Sequence, residues 1–386
     1  MNPLMIPIQI KAILIQLENA GYQAWLVGGC VRDGLMGLEP GDWDICTDAL
    51  PEQVKALFPD CLDYGVRHGT VTVRHDGVFA EITTFRAEGH YTDHRRPDTV
   101  TFIKDLNEDL ARRDFTVNAI AMNARGELRD PFGGEADLCA GILRAVGDPR
   151  ARFREDALRM LRAVRFSAQL GFSLEAEILQ AVSECAGLVS RLAAERVCSE
   201  LEKTLLTDRP EQAELLCSLR LLEPWGILRH TESLRRLRAL PKLRPARWMG
   251  YALTLPETEP LAALRLDKKT ISACRAVRAM QAEAPGTALK WKQRISRYGA
   301  ELSRLCALVL GPAELETVSS VLESGDCCCL EDLAVDGTDA LAAGLRGSEI
   351  REALDAALRH VWAHPEDNTS EKLRPFLRKE AESRDR

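Results

Sequence analysis

The chain contains 386 residues, of which 46% are hydrophobic and only 5% aromatic, and its formal net charge is −7. This length exceeds what one hydrophobic core accommodates, so we expect two or more domains. The negative charge excludes a generally basic nucleic-acid binder, although local basic faces decide RNA binding. No secretory leader or run of about 18 apolar residues is present, and the twelve cysteines form no C-x-x-C pair. These features predict a cytoplasmic protein without a membrane span, disulfides or structural zinc.

The chain opens with one predicted helix and two short predicted strands. The apolar first segment predicts a buried helix. Residues 24–47, AWLVGGCVRDGLMGLEPGDWDICT, then combine an apolar strand, Gly28-Gly29, Arg32-Asp33 and a second strand. Two adjacent glycines permit a tight turn and close approach of the backbone to phosphate groups, which Arg32 could contact.

The second predicted strand carries Asp42 and Asp44, with Trp43 between them. Alternate residues of a strand point to the same face, so both carboxylates would enter one cleft. Two carboxylates that close repel, and a divalent cation between them is the usual way to keep both ionised. An exposed acidic turn is the alternative for the Asp pair alone, and the preceding Gly-Gly-x-x-Arg-Asp element favours the cation site.

Residues 69–86, GTVTVRHDGVFAEITTFR, predict a β-hairpin with its turn at His75-Asp76-Gly77. Glu81 lies in the return strand. A third carboxylate that faced the cleft would complete a two-metal site for phosphoryl transfer. A lone polar residue on a solvated strand face explains Glu81 equally well.

Two polar segments follow the hairpin. Residues 87–102 predict a mobile loop. The charged contacts that this loop offers are Asp93, Arg95 and Arg96. The next motif, RRDFTVN, places Arg113, Asp114 and Asn118 at the start of an apolar segment. Arginines here suit phosphate recognition, and an adjacent aspartate can accept hydrogen bonds from sugar hydroxyls; a solvated helix cap is the alternative.

From Arg154 onward the sequence predicts helices. The segment REDALRMLRAVRF places four charged residues at three-residue steps along one predicted helix: Asp156, Arg159, Arg162 and Arg165. Residues three apart share a helix face, and a carboxylate with a guanidinium group can reproduce hydrogen bonding to the edge of a base. An exposed, salt-bridged face is the alternative.

Two clusters of basic residues lie further along, one between positions 229 and 247 and one around Trp291. The second cluster consists of Lys290, Lys292, Arg294 and Arg297. Such clusters fit contact with a phosphate backbone, and they equally fit solvated helix faces.

Five ordered motifs resemble those of class II tRNA nucleotidyltransferases, the DNA polymerase β superfamily group that includes the bacterial CCA-adding enzymes. They are GGCVRDGLMGLEPGDWDICT, ITTFR, RRDFTVNA, EDALRMLRAVRF and AERVCSELEK. The resemblance is strong over the first half of the chain and weaker to the end. It implies an α+β protein with a mixed α/β nucleotidyltransferase head at residues 1–145. A helical neck at 146–206, a helical body at 207–285 and a helical tail at 286–386 would follow.

The resemblance also implies roles for the residues named above. Asp42 and Asp44 would hold two Mg²⁺ ions, one on the triphosphate and one that lowers the pKa of the RNA 3′-hydroxyl. Glu81 stays a candidate third catalytic carboxylate because of its place in the hairpin, not because of the resemblance. The residues implied to surround the nucleotide are Gly29 and Arg32 at the triphosphate, Arg113, Asp114 and Asn118 at sugar and phosphate, and Asp156, Arg159, Arg162 and Arg165 at the base.

The partners implied are the tRNA 3′ end, CTP and ATP, with no membrane and no protein partner. The body and tail would grip the tRNA by its shape and backbone. The segments DYGVRHGTVTV and YTDHRRP favour synthesis of the whole CCA end. The alternatives are partial CC or A addition, poly(A) synthesis and, from another class, a catalytically idle RNA-binding protein.

Overall fold

The computed structural model of the chain describes residues 5–62, 69–89 and 100–384. The chain divides into two compact units, Met1–Arg235 with Ala263–Arg265 and Arg236–Ala262 with Leu266–Arg386. In the described part of the chain, every strand belongs to the first unit, and the second unit is helical. The predicted α+β class, with a mixed head followed by helices, is confirmed. The four-part division at residues 145, 206 and 285 stays a prediction.

A mixed sheet forms the centre of the first unit. The strands are β1 (Ala24–Val27), β2 (Asp44–Thr47), β3 (Cys61–Leu62), β4 (Thr70–His75), β5 (Val78–Thr84), β6 (Arg86–Glu88), β7 (Val100–Phe102), β8 (Ala121–Met122), β9 (Leu128–Arg129), β10 (Ile142–Leu143) and β11 (Ser173–Leu174). Seven of them pair in the order β3-β4-β5-β2-β1-β8-β9. The β2–β5 pair is parallel and the other neighbours in this sheet are antiparallel.

Helices cover the sheet and continue the first unit beyond it. They are α1 (Ile8–Asn19), α2 (Gly29–Leu35), α3 (Pro51–Leu57), α4 (Leu106–Ala111), α5 (Gly134–Ala140), α6 (Pro149–Glu155), α7 (Leu158–Leu170), α8 (Ala176–Cys185), α9 (Ala194–Leu205) and α10 (Glu214–Ser218). A 3₁₀ turn at Thr116–Asn118 follows α4 and carries one of the predicted site residues. The site described below is assembled from β1, β2, this turn, α2, α4 and α7.

Two local predictions are confirmed by the structure. Helix α1 buries residues at the i, i+3, i+4, i+7 spacing of an amphipathic helix: Ile10, Ile13, Leu14 and Leu17. Strands β4 and β5 form the predicted hairpin. Its two turn residues, Asp76 and Gly77, have φ angles of 45° and 81°, the positive values that two-residue hairpin turns require.

The helices of the second unit bury part of the basic cluster around Trp291. After α11 (Arg244–Leu253) and α12 (Glu259–Ala263), which passes the boundary, these helices are α13 (Lys268–Ala282), α14 (Ala288–Tyr298), α15 (Ala300–Leu310), α16 (Pro312–Glu323), α17 (Gly337–Ala342), α18 (Ser348–Ala363) and α19 (Ser370–Arg384). Lys292 is 2.7 Å from Asp326 and Arg294 is 2.9 Å from Glu283, and both cations are about 6% exposed. The solvated-face alternative is therefore wrong for these two residues, because α14 turns them into the unit's interior. Contact of the cluster with a phosphate backbone stays a prediction.

We predict that Gly134→Ala destabilises the first unit. A Cβ at Gly134 would lie 2.3 Å from the backbone oxygen of Thr116 and 2.8 Å from Ile120 Cγ1. Relief of such a clash requires backbone movement, so we expect the free energy of unfolding to fall by about 2 kcal/mol. The matched control is Gly187→Ala, because no atom lies within 4 Å of that Cβ position. Urea titrations that give both variants equal stability would contradict the prediction.

Candidate active site

The end of strand β1 opens onto a cavity of about 290 Å³. Gly28 follows the strand with a φ of 75°, in the left-handed region that favours glycine. A Cβ at Gly28 would lie 3.2 Å from Arg113 Nη1 and 3.6 Å from Asp44 Oδ2, so the bare backbone comes close to both charged groups. Seven predicted site residues line the cavity: Gly29, Arg32, Asp42, Asp44, Arg113, Asn118 and Arg165.

The acidic pair is placed slightly differently from the prediction. Strand β2 begins at Asp44, and Asp42 lies in the segment before it. Pairing with β5 starts at Asp44, which leaves Asp42 without a strand partner. Both carboxylates nevertheless line the cavity, while Trp43 between them is buried. The expectation that both enter one cleft therefore holds, although only Asp44 is a strand residue.

Opposing influences act on the pKa of Asp44. Burial raises the pKa of Asp44 to about 6; the positive charge of Arg113 opposes this rise, and Glu81 and Asp42 add to it. Glu81 pairs with Asp44 across the parallel strands, yet its side chain is exposed and does not line the cavity. Within residues 5–62, 69–89 and 100–384, no group of three or more His, Cys, Asp or Glu side chains is arranged to hold a metal ion. A metal-binding role for Glu81 stays a prediction.

A chain of hydrogen bonds joins four predicted residues behind the cavity. Arg32 Nη1 donates to Asn118 Oδ1 at 2.6 Å, and Asn118 Nδ2 donates to Asp114 Oδ1 at 3.2 Å. Arg162 Nε donates to the other oxygen of Asp114 at 2.7 Å. Arg32, Asn118 and Asp114 are buried, with Asp114 only 9% exposed, whereas Arg162 is partly exposed. The structure thus joins α2, the Thr116–Asn118 turn and α7 through one amide and three charged side chains.

Asp109 is a component of the site that the sequence analysis missed. It lies on α4 with no solvent exposure, and its Oδ1 accepts from Arg112 Nε at 2.9 Å, Arg112 Nη2 at 2.8 Å and the backbone N–H of Arg86 at 3.1 Å. Its Oδ2 lies 3.6 Å from Arg113 Nη2. Asp109 therefore places a buried negative charge beside Arg113 without a hydrogen bond to it. The sequence contained a signal for this contact: Asp109 precedes Arg112 by three residues and Arg113 by four, and residues at these spacings share a helix face.

The prediction of one helix for Asp156 and the three arginines after it is wrong. Asp156 lies between α6 and α7 with extended backbone angles, and its Oδ1 accepts from the N–H of Leu158. An aspartate in this position caps a new helix instead of continuing the old one. The preceding Asp148-Pro149 pair starts α6 in the same way, with Asp148 accepting from the N–H of Arg150.

Neither Asp156 nor Arg159 lines the cavity, and both bind partners within the protein. Asp156 Oδ2 accepts from Arg196 Nη2 on α9 at 2.8 Å. Arg159 donates to Glu155 at 2.8 Å and to the backbone oxygen of Arg112 at 3.0 Å. The two residues adjoin each other, since the backbone N–H of Arg159 donates to the backbone oxygen of Asp156 at 3.0 Å.

Arg165 reaches the cavity from α7 and is held by a second buried acid. Its Nε donates to Glu200 Oε2 at 2.6 Å, and Glu200 on α9 is only 4% exposed. Its guanidinium group also lies over the ring of Phe166, which lines the cavity too. Sequence reasoning assigned no site role to Glu200 or Phe166. The three loop residues Asp93, Arg95 and Arg96 lie outside the described residues.

Comparison with known proteins decides the family. Residues 24–144 match the family model described as "Poly A polymerase head domain", and residues 171–225 match "Probable RNA and SrmB- binding site of polymerase A". A CCA-adding enzyme of Geobacillus sp. (strain WCH70) is 38% identical over 390 residues, which cover 96% of each chain. The chain belongs to the CCA-adding enzyme family. Another CCA-adding enzyme, from Geobacillus thermodenitrificans, is 46% identical over 72% of this chain and 71% of the relative.

Solved structures support the same family. The crystal structure of the Bacillus stearothermophilus CCA-adding enzyme in complex with CTP matches with a TM-score of 0.85 and 36% identity, over 99% of both chains. The Thermotoga maritima CCA-adding enzyme complexed with tRNA matches over 97% of this chain and 96% of that one, with a TM-score of 0.68 and 20% identity, which shows the fold alone. The resemblance inferred from the five motifs is confirmed. Members of the CCA-adding family are tRNA nucleotidyltransferases and are generally metal-dependent.

Among the helices that the structure describes, none is both long and apolar enough to cross a membrane.

We predict that Asp114→Asn lowers stability in a pH-dependent way. Burial alone would raise the pKa of Asp114, but Arg162 and Arg159 outweigh it and hold the pKa at about 2, below its ordinary value of 3.8. A carboxylate with a depressed pKa stabilises the folded state above its unfolded pKa, and this contribution is lost as the pH falls through the folded pKa. At pH 7 the variant should therefore lose about 2 kcal/mol.

The measurement is urea unfolding of both proteins from pH 7 to pH 2. The stability difference should be complete at pH 7 and should shrink as the pH falls from about 4 towards 2. Asp76→Asn, in the exposed hairpin turn, is the control. A difference that stays constant over this pH range would show that the ion pair is not its source.

Proposed function

We propose that this chain adds the sequence CCA to the 3′ end of tRNA from CTP and ATP, releasing pyrophosphate and using no nucleic-acid template. Similarity to CCA-adding enzymes along the whole chain supports this reaction. The cavity at the end of β1 carries the proposal, because one cavity combines carboxylates with the guanidinium groups of Arg32, Arg113 and Arg165. Such a combination suits a triphosphate with bound cations.

Asp42 and Asp44 are suitable ligands for Mg²⁺. Carboxylate oxygens are the donors that hard divalent cations prefer. Burial and two neighbouring carboxylates raise the pKa of Asp44, which means that a negative charge at this position gains from a nearby cation. In the proposed reaction the two aspartates hold two Mg²⁺ ions, and Glu81 adds negative potential beside them. When bound, Mg²⁺ neutralises charge on the triphosphate and lowers the pKa of the RNA 3′-hydroxyl.

The basic side of the cavity would bind the triphosphate. Arg113 is 19% exposed and its contact with Asp109 is a loose one of 3.6 Å, so its guanidinium group keeps donors for a phosphate oxygen. Arg32 adds a buried positive charge, and Gly29 allows the backbone to approach the phosphates. Asp114 and Asn118, already hydrogen-bonded to each other, would contact the sugar.

Base selection would take place on the α7 side. Asp156 supplies a hydrogen-bond acceptor and Arg159 supplies donors, the two functions needed to match the edge of a cytosine or an adenine. Both bind protein partners in the structure, so the base would take the place of those partners. Arg162 and Arg165 complete the proposed pocket.

Other products remain as outcomes of the test. One matched family model bears the name of poly(A) polymerase, whereas the relatives that match along the whole chain are named CCA-adding enzymes. Partial CC or A addition is the other possibility within the family. Twelve free cysteines, many of them buried, fit a reducing compartment, and we place the reaction in the cytoplasm.

The first test uses three tRNA transcripts that end before the first C, after CC and after CCA. Purified protein receives Mg²⁺ with labelled CTP, ATP or both. We expect the first transcript to gain CCA when both nucleotides are present, and the finished transcript to gain nothing. Arrest after CC or long A tracts would replace the proposal with CC addition or poly(A) synthesis, and no incorporation would favour an idle RNA-binding protein.

The second test replaces the proposed metal ligands. Asp42→Asn and Asp44→Asn should each reduce the rate of CCA synthesis by about 10³-fold, because several kcal/mol of charge stabilisation is lost. Filter binding of tRNA should be unchanged, since the carboxylates are not proposed to bind RNA. EDTA should stop the wild-type reaction and Mg²⁺ should restore it. Asp76→Asn is the matched control; a wild-type rate in either cavity variant contradicts the metal assignment.

A further inference from the structure

Three guanidinium groups surround the ring of Phe166. The Cζ atoms of Arg165, Arg162 and Arg32 lie 3.9, 5.2 and 5.3 Å from the ring centroid. All three distances fall within the range of about 6 Å over which the negative face of an aromatic ring attracts a cation. Phe166 itself is 6% exposed and lines the cavity. One aromatic ring therefore contacts three guanidinium groups, one from α2 and two from α7.

The arrangement brings like charges together from separate elements. Arg32 comes from α2, whereas Arg162 and Arg165 come from α7. Each guanidinium group has its own carboxylate: Asp33 for Arg32, Asp114 for Arg162 and Glu200 for Arg165. Those three carboxylates lie on α2, in the segment before the Thr116–Asn118 turn and on α9, whereas the ring is a contact common to all three arginines. Phe115 fixes the ring in turn, by edge-to-face packing at 5.7 Å with an interplanar angle of 79°.

The contact between the Arg165 guanidinium group and the Phe166 ring is strengthened because little water reaches it. The side chain is 11% exposed, and burial lowers its pKa, with Glu200 opposing and the positive charge of Arg162 adding to the effect. Attraction between a cation and a ring is greatest where water does not compete. The ring at 3.9 Å therefore stabilises a positive charge that burial disfavours.

We propose that Phe166 is a positioning residue for nucleotide binding, whose ring holds the guanidinium groups of Arg165 and Arg32 in the cavity. This inference rests on the proposed function, because the cavity is taken to bind CTP and ATP. Phe166 acts through the arginines, so it should control the affinity for the nucleotide more than the chemical step. A residue that only filled the core would contribute its volume, and the electron density of its ring would be irrelevant.

The test separates the electronic character of the ring from its volume. Phe166 is replaced in the full-length protein by monofluoro-, trifluoro- and pentafluorophenylalanine, which weaken the negative ring face progressively at similar volume. Phe166→Leu removes the ring. The matched control is the same fluorinated series at Phe153, which lies on α6 with no exposure and has no guanidinium group over its ring in the described part of the chain. The readouts are KM and kcat for CTP and ATP in CCA synthesis, the Kd of CTP by calorimetry, and Tm.

We expect KM and the CTP Kd to rise stepwise with fluorination at Phe166, reaching about tenfold for the pentafluoro ring, while kcat stays nearly constant. The series at Phe153 should leave KM and Kd unchanged. Constant KM and Kd along the Phe166 series, or an equal rise along the Phe153 series, would overturn the proposal even if Phe166→Leu fails to fold. A wild-type protein that binds CTP but adds no CCA contradicts the proposed function, and its CTP Kd series still tests Phe166.

Discussion

The partial burial of Asp44 beside two other carboxylates is the constraint on which the head depends. A buried negative charge is unfavourable unless a positive charge lies close, and Arg113 supplies it. Arg113 in turn lies beside Asp109, a carboxylate with no exposure that also binds Arg112. Alternating charges therefore run from the cavity into the core of the head. Removal of one member leaves its neighbour buried and unpaired, which costs several kcal/mol.

A second network holds the turn that presents Asn118. The hydroxyl of Thr116 donates to Asp137 Oδ2 at 2.7 Å, and the backbone N–H of Thr116 donates to the backbone oxygen of Arg144. Gly134 allows α5 to pack directly on this turn, because a side chain there would overlap the oxygen of Thr116. The turn is thus fixed from behind while Asn118 faces the cavity. Support of this kind gives a binding site its fixed geometry.

Local sequence predicted the parts of this architecture that depend on short-range spacing. Helix α1 and the hairpin turn at Asp76-Gly77 follow from periodicity and turn chemistry. The boundary at Asp156 was missed, because the helical pattern of its segment continues through a residue that caps the next helix. The pairs Arg196–Asp156 and Arg165–Glu200 join residues 40 and 35 positions apart. Spacing along the chain carries no information on such tertiary partners.

The proposed base-selecting residues are already satisfied within the protein, and this has an energetic consequence. Asp156 and Arg159 are only 17% and 11% exposed, so neither can lose its partner to water without cost. A base that offers both a donor and an acceptor replaces both partners, and the exchange is close to neutral. A base that offers only one leaves the other charged group unmatched. The proposed pocket would therefore discriminate mainly through the charged group that a wrong base leaves without a partner. The free-energy cost of that unpaired group exceeds the free energy gained by binding the right base.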